Sequence, residues 1–137
     1  MSAYTSLETE FNDQDCLVAA LKDNEDRSFI NVEVHEKPVN LVGYHSDTRS
    51  QVANIVIRRS EIGGASNDIG FVKENGKFKA IISDYDSHRH GTEWMTAVKR
   101  SYVEKRAVKE MKKQGLKFVS RKVVNGKIVI KYLRQGA

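Results

Sequence analysis

"DIGFVKENGKFKAIIS", residues 68–83, decides the fold. At its centre stands Asn75-Gly76, a dipeptide suited to the positive φ angles of a type I′ turn, with apolar and polar residues alternating on either side. A two-residue turn there pairs Lys73 with Phe78, Phe71 with Ala80 and Ile69 with Ile82. Ile69, Phe71, Phe78, Ala80 and Ile82 then share one face, which is expected to be core. The device recurs in "LKFVSRKVVNGKIVIKYL", residues 116–133, around Asn125-Gly126. Its pairing sets Val119, Val123, Ile128, Ile130 and Tyr132 on a face expected to lie against the core. Lys122, Lys127 and Lys131, with Ser120 between them, take the face toward water.

Working outward, "YTSLETEF" (residues 4–11) reads as a first strand. "NDQDCLVAALKD" follows as a helix with Asn12 or Asp13 as its N-cap, and with Leu17, Ala20 and Leu21 at helical spacing. "FINVEVHEKPVNLVGY" reads as one or two short strands, with Pro38 at an end or an edge. "QVANIVIRR" is a near-continuous apolar run, the pattern of a buried strand, and "IGGASN" is a loop. Residues 92–114 read as a helix capped by Thr92 and closed by Gly115. In its second half Val103, Ala107, Val108 and Met111 lie opposite Lys105, Arg106, Lys109, Lys112 and Lys113. In its first half Trp94, Met95, Val98 and Tyr102 form a stripe that on one straight helix adjoins those cations. A bend near Tyr102 separates the two, and the bend is expected.

A chain of 137 residues with 39% apolar and 30% charged residues fits one α+β domain, residues 1–137, able to bury a core without staples. The architecture expected is a mainly antiparallel sheet built from hairpins, with two or three helices on one face. The lone Cys16 has no partner for an internal disulfide, which fits a reducing setting such as cytoplasm or plastid stroma. Neither a membrane span nor a signal peptide is read from the sequence. The net charge of +5 is unevenly divided: residues 1–94 hold 10 Lys and Arg against 16 Asp and Glu, and residues 95–137 hold 13 against two. Such polarity points to an anionic partner, unless the acidic part neutralises the basic one internally.

Chemistry-bearing constellations are few. Asp84, Asp86, His88, His90 and Glu93 of "SDYDSHRHGTE" combine carboxylate and imidazole, a weak metal candidate. The segment joins a strand to a helix, so ordinary turn and cap bonding is expected instead, with no cofactor. Cys16 sits among apolar residues and reads as a buried thiol. The glycines of "IGGASNDIG" fit no phosphate-binding loop, and Gly70 marks a bulge or a close backbone approach.

"ASNDIGF" and "AIISDYD", supported by "VEVHEKPVNLVGYHSDTRSQVANIVIRR", by the opening 23 residues and by "NGKIVIKYLR", carry a resemblance. The chain resembles the uncharacterised family first named hypothetical chloroplast reading frame thirty-five, of cyanobacteria and algal plastids with bacterial and viral relatives. The resemblance implies one small domain without an established activity. "VEKRAVKEMKKQGLKFVSRKVV" is more basic here than the mixture usual in that family.

These readings lead to a non-enzymatic module. It is expected to bind a polyanion, RNA more than DNA, through Lys105, Arg106, Lys109, Lys112, Lys113, Lys122, Lys127 and Lys131. The alternative is an adaptor for an acidic protein or a larger assembly, with self-association open to it. An enzyme built on residues 84–93 comes third.

Overall fold

The computed structural model describes residues 2–134 and is α+β. Its elements run β1 (Tyr4–Glu8), α1 (Gln14–Lys22), β2 (Glu33–Val42), β3 (Thr48–Ile57), α2 (Arg59–Ile62), β4 (Ile69–Glu74), β5 (Lys77–Ser83), α3 (Thr92–Lys113), β6 (Leu116–Val124) and β7 (Lys127–Arg134), with a 3-10 turn at Asp86–His88 before α3. Strands 1 to 5 make one antiparallel sheet in the order β1-β5-β4-β3-β2, and β6 and β7 pair as a separate two-stranded sheet.

Both Asn-Gly turns form as the sequence dictates. Asn75, Gly76, Asn125 and Gly126 all have positive φ, between 51° and 80°, and the pairings Lys73 with Phe78 and Phe71 with Ala80 are observed. The expected core face is buried: Ile69, Phe71, Phe78, Ala80 and Ile82 pack with Ile55 and Ile57 of β3. One layer of helix covers them, Leu17, Ala20 and Leu21 of α1 beside Trp94, Val98 and Tyr102 of α3. Asp13 caps α1 by accepting from the Cys16 amide at 3.0 Å. Gly70 is a close approach, since a Cβ there would stand 2.5 Å from that of Ala53.

Three expectations need correction. The cap of α3 is Gly91, not Thr92: the backbone carbonyl of Ser87 occupies the space a Cβ would need, so only glycine fits the turn. The bend expected near Tyr102 does not part the cations from the aromatic stripe: α3 runs as one helix from Thr92 to Lys113, and Tyr102, Arg106 and Lys109 all meet Asn12 or Asp13. Lastly, the second hairpin does not lay its apolar face on the sheet. It folds back along α3, where Ile128 and Ile130 face Val103 and Ala107 across a groove. Ile128, Ile130 and Tyr132 are half-buried and Val123 is exposed. A bulge at Val119 also removes that residue from the expected row and puts Phe118 opposite Tyr132.

Candidate polyanion-binding surface

At 100° per residue α3 has two working sides. Trp94, Val98 and Tyr102 define the first, and Lys105, Arg106, Lys109, Lys112 and Lys113 share it. Because the helix is unbroken, those cations follow the aromatic stripe over the acidic ends of α1 instead of forming an outer face. The Tyr102 hydroxyl accepts from the amides of Asn12 and Asp13, both at 3.1 Å. One turn on, Arg106 at 3.2 Å and Lys109 at 2.5 Å reach the Asp13 carboxylate, and Lys105 reaches Asp23 at 2.7 Å. Burial alone would raise Asp13, but Lys109 and the Cys16 amide outweigh it and hold the carboxyl well below the usual range. Asp13 in turn raises Lys109. Three of the eight expected binding cations thus already have anionic partners within the chain.

The other five are free of ion pairs among the described residues: Lys112, Lys113, Lys122, Lys127 and Lys131. The first two extend α3 past the end of α1 and are exposed. By helical phase they lie on the side of α3 away from the hairpin, so they do not merge with its lysines.

On the hairpin the observed register makes a definite pattern. Val124 pairs with Lys127, Lys122 with Val129, Ser120 with Lys131 and, past the bulge, Lys117 with Leu133. All eight side chains share the outer face, and the lysines alternate between strands. Diagonal neighbours of this kind stand roughly 7–8 Å apart, so Lys127, Lys122, Lys131 and Lys117 form a zig-zag of ammonium groups. Val124, Val129 and Leu133 fill the gaps and are about half exposed, at 48%, 50% and 58%. Lys117 and these three apolar residues were not singled out from the sequence; counting on from the Asn-Gly turn finds Val124, Val129 and Leu133, whereas Lys117 reaches this face only through the bulge at Val119.

The inner face is differently made. Arg121 is paired with Glu104 of α3, and the Tyr132 hydroxyl is enclosed without a hydrogen-bond partner among the described residues. Trp94 donates to the Arg27 carbonyl at 3.0 Å inside the core. With Trp94, Tyr102 and Tyr132 all turned inward, none of them is presented for stacking beside the lysines.

The metal candidates are drawn apart. Asp84 accepts from the Thr5 hydroxyl, Asp86 is buried and accepts from the Asn67 amide and the Ser83 hydroxyl, and His88 is exposed. His90 is buried between the rings of Phe29 and Trp94, and Glu93 is exposed in the first turn of α3. No cluster of three such side chains able to hold a metal occurs among the described residues. Cys16 is buried and free, its thiol pushed up by burial and by Asp13. No helix among the described residues is long and apolar enough to cross a membrane.

The motif "ASNDIGF" has a structural task. Asp68 is buried and accepts from the amides of Val42 and Arg59 and from the Arg58 guanidinium, at 2.7–2.8 Å, while Arg58 also holds Glu33. Asn67 receives the Tyr44 amide and meets Asp86 and Ser83. These bonds tie the loop after α2 to β2 and β5. Neither a curated protein nor a solved structure matches the chain. Residues 20–129, from the end of α1 into β7, match a family described as a protein of unknown function, DUF1257, and to that family the chain belongs.

Proposed function

We propose that the protein is a non-enzymatic module that binds a polyanion on the outer face of its β6–β7 hairpin. One observation carries the reading: Lys117, Lys122, Lys127 and Lys131 zig-zag across that face without a carboxylate partner among the described residues, whereas the cations of α3 beside α1 are neutralised within the chain. An unneutralised row of lysines on an ordered ribbon gathers phosphates and releases their counterions. The valines and leucine between them offer apolar contact to unstacked bases. That favours a single strand, and RNA before DNA because RNA exposes loops and ends in its ordinary state. Lys112 and Lys113, on the side of α3 away from the hairpin, stand apart from this row. Within the family, "ASNDIGF" and "AIISDYD" favour the hypothetical chloroplast reading frame thirty-five branch, in a cytoplasmic or stromal setting.

Fluorescence anisotropy with labelled single-stranded RNA, single-stranded DNA and duplex, each over a salt series, tests this. Expected is binding that weakens steeply with salt and ranks the RNA strand first. Affinity that ignores salt, or no binding to any of the three at low salt, sinks the proposal and leaves the acidic-protein adaptor in its place.

A further inference from the structure

The two edges of the five-stranded sheet are guarded differently. β2 carries Glu36, Lys37 and Pro38 in succession, and its register against β3 shifts between Val34 and Val39 and again between Asn40 and Val42. Charge, proline and bulging are the ordinary devices by which an edge strand refuses further pairing. β1 has an unbroken register with β5 from Tyr4 to Glu8, contains no proline or lysine, and is exposed along residues 5–8. Such an edge directs alternate N–H and C=O groups outward. The helix layer also stops short of it. A groove of about 750 Å³ separates β1 from α3, with Thr5, Leu7 and Ile82 on the sheet side and Met95, Lys99 and Val103 on the helix side. Leu7 is 43% and Val103 55% exposed.

We infer that β1 pairs antiparallel with β1 of a second copy of this chain about a two-fold axis at Ser6, joining two sheets into one. That register pairs all five residues of the strand. It sets Ser6 against Ser6, Leu7 against Thr5, and Glu8 against Tyr4 of the other copy, over whose ring Arg49 lies at 4.8 Å. Charge selects this occupant. The groove is bordered by carboxylates on and beside β1 at Glu8, Glu10 and Asp84, and by an ammonium on α3 at Lys99. A strand of one sign meets repulsion on one side, whereas a two-fold copy carries both signs and sets no like pair opposite. Leu7 of each copy then enters the strip of sheet that the helices leave uncovered. No hairpin residue takes part, so this interface does not rest on the polyanion reading.

Sedimentation velocity of the full chain over a concentration series tests the pairing, using wild type, Ser6→Lys, Ser6→Glu and an equimolar mixture of the two variants. Wild type is expected to sediment as a dimer. Each variant is expected to lose the dimer, because like charges meet on the axis. The mixture is expected to regain it as a heterodimer, since lysine then faces glutamate. Regain in the mixture separates lost pairing from lost folding, because an unfolded variant has nothing to recombine. A wild type that stays monomeric throughout, a Ser6→Lys that dimerises as wild type does, or a mixture that remains monomeric overturns the inference.

Discussion

His90 is a buried side chain whose bonding is left incomplete: it is 2% exposed, and neither ring nitrogen has a hydrogen-bond partner among the described residues. Phe29 and Trp94 enclose it at ring distances of 5.6 and 5.1 Å. Burial holds its pKa below the ordinary 6.5, opposed by Asp86 and Asp26 and assisted by Arg27. Since the folded-state value is the lower one, the unfolded chain takes up a proton that the folded chain declines once pH falls below about 6.5. The contribution of His90 to folding stability therefore declines as pH falls from above its unfolded value of 6.5 to below it. Urea unfolding of His90→Leu should show a smaller decline over that interval. At the upper end its stability should equal wild type or exceed it by up to about 1 kcal/mol, because an unsatisfied polar ring has gone. An identical pH profile in the two proteins would mean that His90 is not the group responsible. From sequence this histidine stood among metal candidates, since Phe29, which encloses it together with the nearby Trp94, comes from a distant segment. Asp13 shows the opposite case. Its N-cap role was legible because a cap is local, but its ion pairs with Arg106 and Lys109 span 93 and 96 residues of chain.

At the scale of elements, the two Asn-Gly hairpins separate what a local pattern specifies from what it leaves open. Turn chemistry and alternation set the pairing within each, and both registers next to the turns follow from the sequence. What each apolar face packs against is set by distant chain. The first hairpin lies inside a five-stranded sheet under helices, whereas the second rests on one side of α3. A two-stranded ribbon is marginal by itself, so β6–β7 depends on that docking. Phe71→Ala should destabilise the whole domain by about 3–5 kcal/mol in urea unfolding. Ile130→Ala, at a half-buried site, should cost about 1 kcal/mol or less of global stability. By hydrogen exchange, Ile130→Ala should speed opening of residues 116–134 while β3, β4 and β5 keep their protection. Loss of protection throughout the sheet in Ile130→Ala would show instead that the hairpin is part of the central cooperative unit. The helix α3 departs from expectation for a related reason. Its wheel already sets Lys105 and Lys109 in line with Trp94 and Val98, but without α1 in place nothing in the pattern says that carboxylates wait there.

For the whole molecule, the charge division is partly a matter of internal neutralisation. Arg100, Lys105, Arg106 and Lys109 take carboxylates from the acidic part of the chain, at Glu25, Asp23 and Asp13, and Arg121 takes Glu104. These exposed or half-exposed pairs add little stability each, but they occupy the cations. The hairpin lysines have no such carboxylate among the described residues, which divides the basic residues into two sets with opposite expected behaviour. Replacing Lys117, Lys122, Lys127 and Lys131 together by glutamine should leave folding intact, because all four are exposed on the outer face. The slope of log affinity against log salt for single-stranded RNA should flatten by roughly 0.7 for each phosphate no longer neutralised, so by about 3 if every one of these lysines meets a phosphate. Replacing Lys105 and Lys109 by glutamine should do the reverse. The salt slope stays within about half a unit, while the acid limb of stability changes because Asp13 is without the ammonium that held its carboxyl low. Sign fixes the direction of that change. Asp13 adds stability that is present above its unfolded value of 3.8 and is lost as pH falls below it, so the double variant should be less stable near neutral pH and lose less on acidification. If the α3 pair flattens the RNA salt slope as much as the four hairpin lysines do, the ion pairs with α1 open on binding, and the anionic ligand displaces Asp13 and Asp23 instead of settling on the hairpin.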